Sequence, residues 1–349
     1  MKYASALQAG RAKVENIEDA TLVSTRIRLA RNLDGYPFPS HLKDEKQAKE
    51  IIRLVSSGLN RLADFKLYYM DAISDWEANR LKDNHLISPG LIARKRSAAA
   101  LINDDQSISV MINEEDHLRE QCIVKGLHLK HAYDIISEID NKIGRTIKFA
   151  YDEQLGYLTA CPTNLGTGMR ASVMLFLPAI TLNGSMPELV SRISRLGLTV
   201  RGIYGEGSDA EGYMYQVSNE VTLGVTEEYI ISQVDEVART ICRIEKAERK
   251  KLATGKNQIA VKDKCLRAYG IATNCAVMSS GELATLAADI KLGACLGFLP
   301  ITKVSALDDI VAGMRPYNIP KEKARTAAER DVFRAEYASA AIRRLAGER

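Results

Sequence analysis

Between Gly156 and Pro178 the chain carries Cys161-Pro162-Thr163-Asn164-Leu165-Gly166-Thr167-Gly168-Met169-Arg170, set between Tyr157 to Ala160 and the apolar run Ala-Ser-Val-Met-Leu-Phe-Leu-Pro. A cluster of proline, asparagine and glycine cannot continue a helix or a strand, so a turn is forced here. Tyr157 to Ala160 reads as a short strand leading in, and the apolar run is long enough to anchor the turn in a core. Glycines let a backbone approach a ligand with its N–H groups outward. Thr163, Asn164, Thr167 and Arg170 add donors, so the loop suits an anion. A plain glycine turn between two core segments accounts for the same residues, and the rest of the chain has to separate the two readings.

Net charge bears on which anion. The 349 residues carry 48 basic and 44 acidic side chains, a surplus of +4, too small to imply a nucleic-acid protein by itself. With 26% charged and 46% hydrophobic residues, one large globular domain or two unequal ones are expected. The cysteines at 122, 161, 242, 265, 275 and 295 form no Cys-x-x-Cys pair and have no histidine at zinc spacing. Reduced thiols and a cytoplasmic setting are therefore expected. The N-terminus lacks an apolar signal core, and Ala171 to Leu182 is short and broken by proline, so no membrane targeting is expected.

Three further stretches carry chemistry. In Thr21 to Leu33 an extended backbone puts Arg26 and Arg28 on one face and Ile27 and Leu29 on the other, two parallel guanidinium forks suited to a polyphosphate; Arg31 reads as a solvated surface arginine. Ser107 to Ile112 alternates like a strand and delivers Asn113-Glu114-Glu115-Asp116-His117-Leu118-Arg119. Three adjacent acids repel one another unless a cationic ligand or metal relieves them; an acidic turn capping a helix is the bland alternative. The stretch from Arg201 to Gly212, with glycines at 202, 205, 207 and 212 and carboxylates at Glu206 and Asp209, reads as a flap rather than a dinucleotide fingerprint.

Helical spacing predicts scaffold helices over Glu45 to Phe65, Gly126 to Ile143 and Thr226 to Arg249, and Met214 to Leu223 reads as a returning strand. A domain boundary is expected at the charged run Glu245 to Lys251, after a lead-in over residues 1–20 and a catalytic unit over 21–251. A small helical module is expected over 252–349, opening one helix on a Ser279 to Glu282 capping box. Near its end, Arg330 and Arg334 fall one turn apart beside Asp331, which reads as a surface ion-pair cluster.

In this order, the strand arginines, the Asn-Glu-Glu-Asp-His loop, the Cys-Pro-Thr-Asn-Leu-Gly-Thr loop ending in Arg170 and the glycine-rich flap resemble the phosphagen kinases over about Thr21 to Lys251. Within that superfamily the chain looks most like the bacterial protein arginine kinases. It reaches Ser-Thr-Arg-Ile-Arg by residue 24, leaving no room for the N-terminal helical domain that holds a free guanidino substrate. Tyr204 stands where the small-molecule enzymes carry an arginine, and Arg330 to Ala335 matches Arg-Asp-x-x-Arg-Ala.

The resemblance implies an α+β fold, an antiparallel sheet flanked by helices, followed by the all-helical region. It implies ATP binding by Ser24, Thr25, Arg26, Ile27, Arg28, His85, Arg119 and Arg170, by Ala171, Ser172, Val173 and Met174, and by Arg201, Gly202, Ile203, Tyr204, Gly205 and Glu206. His85 would lie against the adenine. Glu115 would be the catalytic base, assisted by Cys161, and Asp209 would stand where the family has a second glutamate, one methylene shorter. Mg2+ would be held by ATP, with Glu114 or Asp116 reaching it through water. Arg330, Asp331, Arg334 and Ala335 would form an allosteric phosphoarginine pocket.

The implied activity is phosphoryl transfer from ATP to protein arginines. The implied partners are arginine-bearing proteins, an activator of the McsA type, the Clp protease and unfoldase, and a second copy in a homodimer, without membrane or nucleic acid. Phe176 replaces a histidine common in the family's apolar run. A non-catalytic phosphoarginine-binding adaptor, a kinase of free guanidino compounds, and nucleic-acid binding through Arg94, Lys95 and Arg96 remain the other readings.

Overall fold

The structure, a computed structural model, describes residues 20–42, 44–59, 65–202 and 211–348. Every strand pairing in its main sheet is antiparallel, and the order is β2-β3-β4-β5-β1-β8-β10-β9. The strands are β1 (Leu22–Arg31), β2 (Phe65–Tyr69), β3 (Ala99–Asn103), β4 (Ile108–Ile112), β5 (Leu118–Lys125), β8 (Met169–Phe176), β9 (Leu198–Gly202) and β10 (Met214–Asn219); β6 (Tyr151–Asp152) and β7 (Gly156–Tyr157) form a separate hairpin. The first strand in sequence thus lies in the middle of the sheet, between β5 and β8.

Period-two alternation gives this sheet two different faces. Ile27, Leu29, Cys122, Ala171, Val173 and Val217 point to a core of helices α1 (Glu45–Leu59), α4 (Leu129–Gly144) and α7 (Glu227–Thr254). The other face carries Arg26, Arg28, Arg119 and Arg170. The expected α+β architecture is what the chain forms, and it is the polar face of the sheet that the arginines share.

Several boundaries differ from expectation for local reasons. The first helix ends at Leu59, and Phe65 opens β2 instead, where the alternating, aromatic-rich Phe-Lys-Leu-Tyr-Tyr favours a strand. Of Tyr157 to Ala160 only Tyr157 lies in a strand. Helix α7 runs through the charged stretch to Thr254, burying Glu245, Glu248 and Arg249 while Lys246, Lys250 and Lys251 stay exposed. Glu245 accepts from the N–H groups of Ala179 and Ile180, both at 3.0 Å, at the start of α5 (Pro178–Leu182), and Arg249 pairs with Glu245 at 2.8 Å. Such a buried pair is part of the packing of α7 against α5.

The C-terminal helices are α8 (Gln258–Ala272), α9 (Ser280–Cys295), α10 (Ser305–Gly313) and α11 (Ala327–Leu345), packed around their own apolar cluster. Ser279 caps α9 by accepting from Glu282 N at 3.1 Å, and the complete reciprocal capping box closes at Thr326 and Glu329. Phe176 lies between the cations of Arg249 and Lys291, at 5.7 and 4.6 Å, so an aromatic face suits that position well. Among the described residues no helix is long and apolar enough to cross a membrane. None of the six cysteines is joined in a disulfide.

Candidate functional site

Register assembles the basic face from strands far apart in sequence. Arg28 stands opposite Arg170 on β8 and Gln121 on β5, Arg26 opposite Ser172, and Ala30 opposite Arg119. On the far side Arg201 pairs with Gln216. Burial lowers the pKa of Arg26 to about 10, with the charge of Arg119 adding to it. Burial, then Arg26, Arg119 and Arg170, push Arg28 down as well. Arg170 is lowered by burial and by Arg201 and Arg119, while its Nε and Nη2 donate to Ser218 Oγ at 3.2 and 3.0 Å. The Nε atoms of Arg26 and Arg28 are buried and have no partner. Crowded guanidinium groups with buried, unpaired donors fit a polyanion, which would relieve repulsion and supply acceptors together.

The acidic loop joining β4 to β5 is locked at every residue but one. Asn113 takes a left-handed φ of 60°, tolerable for asparagine, and its Nδ2 donates to Ala48 O and Ser97 O at 3.1 and 2.8 Å. Glu114 accepts from Ser88 Oγ at 2.5 Å and from Arg119 Nη1 at 3.0 Å. Burial pushes Glu114 up, but Arg119 and the Ser88 hydroxyl outweigh it and hold the carboxyl below its ordinary range. Asp116 accepts from Asn32 Nδ2 and Ala160 N, both at 2.6 Å. Glu114 and Asp116 are thus held by partners within the protein, yet burial, with the charge of Glu114 adding to it, still raises the Asp116 carboxyl above its ordinary range.

Glu115 is the exposed residue of the loop. Burial against the loop, then the charges of Asp116 and Glu114, raise its pKa, and Arg119 and a hydrogen bond from Cys161 offset this in part. A raised carboxylate is a stronger base than an ordinary glutamate, and it stands beside the basic face. Cys161, half-buried, also lies 3.0 Å from Thr163 Oγ1.

His117 carries the loop's tautomer lock. Its Nδ1 accepts from Leu33 N at 3.1 Å, which leaves Nε2–H to donate to Pro37 O at 3.0 Å. Burial pushes this imidazole down from 6.5 to about 4. The unfolded chain therefore takes up a proton below pH 6.5 that the folded chain refuses until about 4, so stability is full above that window and falls as the pH drops through it. His85 is exposed; desolvation and the charges of Arg315 and Arg26 push it down to about 4, in the same direction. The urea midpoint should drop between neutral pH and about pH 5, and His117→Gln should flatten that drop. An unchanged slope in the variant would count against the assignment.

The glycine loop behaves differently from expectation. At Gly166 (φ +107°) a Cβ would meet Thr222 O at 2.3 Å, and at Gly168 (φ +63°) it would meet Ala30 O and Arg31 Nη1, both at 2.6 Å. Their close approach is to the protein's own backbone, and it fixes the loop against β1 and the segment after β10. Thr167 is buried, with its hydroxyl accepting from Met169 N at 3.2 Å, so Thr163, Asn164 and Arg170 are the donors facing out. Arg31 is not a solvated surface arginine: it is 2% exposed, ion-paired to Asp140 at 3.0 Å, donates to Thr167 O at 3.0 Å, and lies 3.5 Å over the Tyr157 ring.

Among the other expected residues, Ser24 and Met174 are half-buried, and the Ser172 hydroxyl donates to Arg26 O at 3.2 Å. Thr25, Ile27, Ala171 and Val173 are buried on the core side. Arg201 and Gly202 close β9, whereas Ile203, Tyr204, Gly205, Glu206 and Asp209 lie outside the described residues. Arg330 is half-buried, Asp331 likewise. Arg334 forms the expected ion pair with Asp331, at 2.5 Å, but not at the surface: it is 1% exposed and donates to Met314 O and Met278 O, both at 2.8 Å, with Ala335 buried beside it. Among the described residues no three His, Cys, Asp or Glu side chains gather to hold a metal, so a magnesium ion would fit here only with phosphate oxygens as its main donors. Ser88, Gln121 and Ser218 escaped the sequence reading. Gln121 had a signal, two residues after Arg119 on an alternating strand; Ser88 and Ser218 had none.

The ATP:guanido phosphotransferase C-terminal catalytic domain matches residues 47–248, and the protein-arginine kinase McsB C-terminal domain matches residues 258–349. The chain is 43% identical over 325 residues to the protein-arginine kinase of Caldanaerobacter subterraneus, covering 91% of this chain and 96% of that one. It is 39% identical over 326 residues to that of Pelotomaculum thermopropionicum, covering 91% of each. In structure it is similar to the duplicated taurocyamine kinase of Schistosoma mansoni with transition-state analog components (TM-score 0.62, 24% identity, 75% of this chain and 39% of that duplicated chain). It is also similar to a lombricine kinase (TM-score 0.59, 24% identity, 69% and 70%).

Proposed function

Since the chain belongs to the protein-arginine kinases of the ATP:guanido phosphotransferase family, we propose that it transfers the γ-phosphoryl group of Mg-ATP to arginine side chains of other proteins, with Glu115 as the base. The observation that carries this is the pairing of a basic sheet face, with unpartnered Nε atoms on Arg26 and Arg28, and one exposed carboxylate of raised pKa at its edge.

In this reading Arg26, Arg28, Arg119 and Arg170 hold the phosphates. Fixed guanidinium forks stabilise the charge spread over the phosphoryl oxygens without reorganising as transfer proceeds. Magnesium, when bound, neutralises phosphate charge and aligns the leaving group. The substrate guanidinium, with a pKa above ~12, becomes a nucleophile only by losing a proton. Glu115 orients it and takes that proton as the nitrogen–phosphorus bond forms and the bond from phosphorus to the ADP oxygen breaks. Cys161 orients Glu115 through its hydrogen bond and is not itself phosphorylated. His85, neutral at pH 7, lies against the adenine.

Asp209 serves as a second carboxylate toward the guanidinium, with Ser24, Ser172 and Met174 and the segment Arg201 to Glu206 bordering the nucleotide. A two-part chain, with a catalytic unit over 21–251 and helices over 252–349 that bind phosphoarginine through Arg330 and Asp331 and mediate dimerisation, completes the proposal. It places the protein in the cytoplasm, marking proteins for Clp-dependent degradation and acting on stress-response repressors, with an McsA-type activator.

The test is phosphoryl transfer from Mg-ATP to an unfolded arginine-rich protein, read by mass spectrometry under neutral conditions, with free arginine in parallel. Phosphoarginine on the protein alone supports the proposal. Transfer to free arginine would make the chain a small-guanidine kinase, and binding of phosphoarginine without any transfer, even with an activator, would make it an adaptor.

A further inference from the structure

The turn that follows α10 in the C-terminal helices grips the sheet domain beside His85. Arg315 Nη1 donates to the carbonyl oxygen of Asp83, the Tyr317 N–H reaches Asp83 Oδ2 at 3.3 Å, and Asn318 Nδ2 donates to Asn84 Oδ1 at 2.7 Å. Asp83 and Asn84 end the helix Asp75–Asp83, and the next residue, His85, holds a left-handed φ of 60°, a conformation that a non-glycine residue keeps only under constraint from its surroundings. From the other side the His85 carbonyl accepts from Gln121 Nε2 at 2.7 Å, and Gln121 Oε1 in turn accepts from Arg26. An unbroken run of contacts thus joins Arg315 to the Asp83–His85 turn, to Gln121 and to Arg26.

We propose that Arg315, with Asn318, is a positioning element for the nucleotide side of the site: the C-terminal helices set the geometry of His85 and Arg26 from outside the sheet. The inference rests on the reading of Arg26 and His85 as nucleotide contacts. Removing Arg315 frees Asp83 O and relaxes the turn, so His85 loses its held conformation and Gln121 the shorter of its two acceptors, keeping only Leu86 O at 3.3 Å. Glu115 and Cys161 lie outside this run of contacts and keep their own anchors. The loss is therefore confined to one substrate. The grip has a second end, since Arg334 donates to the carbonyl of Met314, the neighbour of Arg315, and Arg330 stacks 5.8 Å over Trp76, which packs edge-on against Tyr317 at 5.1 Å. A ligand engaging Arg330 would therefore act on the same turn.

Trp76 is the chain's one tryptophan, so its emission reports this contact directly. In the full-length protein, Arg315→Ala should raise the KM for ATP about 5-fold or more with the KM for the arginine-bearing protein unchanged, and Arg315→Lys, which keeps a donor toward Asp83 O, should recover most of the loss. Mg-ATP should change Trp76 emission in the unaltered protein, and the midpoint should move to higher ATP in Arg315→Ala by the same factor. Asn318→Ala should shift both readouts in the same direction by less. An ATP KM within twofold of the unaltered protein in Arg315→Ala, or KM values for both substrates rising together, overturns the proposal. If the unaltered protein takes up no Mg-ATP in calorimetry, the nucleotide reading falls with it; binding there, with no change in the variants, sinks the coupling alone.

Discussion

Glu115→Gln should lower kcat by about 10³-fold or more while leaving the Kd for Mg-ATP within a few-fold of the unaltered protein. The substitution keeps the side chain's length and a hydrogen-bond acceptor for Cys161 but removes the group that accepts the proton. The loop should survive it, because Asn113, Glu114, Asp116 and His117 each hold their own partners and Glu115 is the exposed member. Because burial and the charges of Asp116 and Glu114 raise its pKa, the acid limb of kcat/KM should fall as the pH drops through a value above the ordinary 4.5 of a glutamate, and that limb should vanish from the residual rate of the variant. Calorimetry with Mg-ATP and rapid-quench transfer assays separate the two quantities. Loss of nucleotide affinity in parallel with kcat would assign Glu115 to the phosphates instead and contradict its role as base.

A comparably large effect, on stability, is expected from Arg31→Met. Arg31 is buried with Asp140 on the core side of the sheet, and Glu120 lies beside them, its buried carboxyl against that of Asp140. Burial, and then the charge of Asp140, push Glu120 well up, against the pull of Arg31. Removing the guanidinium leaves two facing carboxyl groups to share protons in a low-dielectric setting, which should cost about 3–5 kcal/mol. The Thr167 and Ala30 carbonyls that Arg31 covers would also lose their donor, loosening the glycine loop. Urea unfolding at neutral pH measures the loss, and a change below about 1 kcal/mol would show that the pair is not load-sharing as drawn. Glu120→Gln should be far milder, because a group already driven toward its neutral form gives up little when replaced by an amide.

How much of this was legible in the sequence depended on whether the signal was local. The two-residue spacing of Arg26 and Arg28 on a strand was enough to separate them from Ile27 and Leu29, and the structure keeps that division. Arg31 obeys the same alternation and so belongs with Ile27 and Leu29 on the core face; the charge of an arginine suggested solvent, and only Asp140, 109 residues away, reverses that. The packing of the charged run near the end of α7 was hidden for a similar reason, since the N–H groups that Glu245 accepts from stand at the start of α5, 66 and 65 residues away. Arg334 carried no local sign that two carbonyls from other elements would enclose it. The glycines of the central loop were recognised as sites of close approach, but what approaches is Thr222 and Ala30, which no spacing rule could name. Tertiary partners, rather than propensities, account for each of these differences.

The central position of β1 bears on when the protein can act at all. The Ser172 hydroxyl meets the Arg26 carbonyl across 146 residues of chain, and the arginines that face one another come from β1, β5 and β8. Contacts so distant in sequence close late, after the loop entropy of the intervening chain has been overcome. A nascent chain emerging without β8 would hold Arg26, Arg28 and Arg119 but not Arg170, and β1 would lack its pairing partner on that side. Completion of the basic face is therefore tied to completion of the sheet, and a partly synthesised or partly unfolded copy holds only a fragment of it.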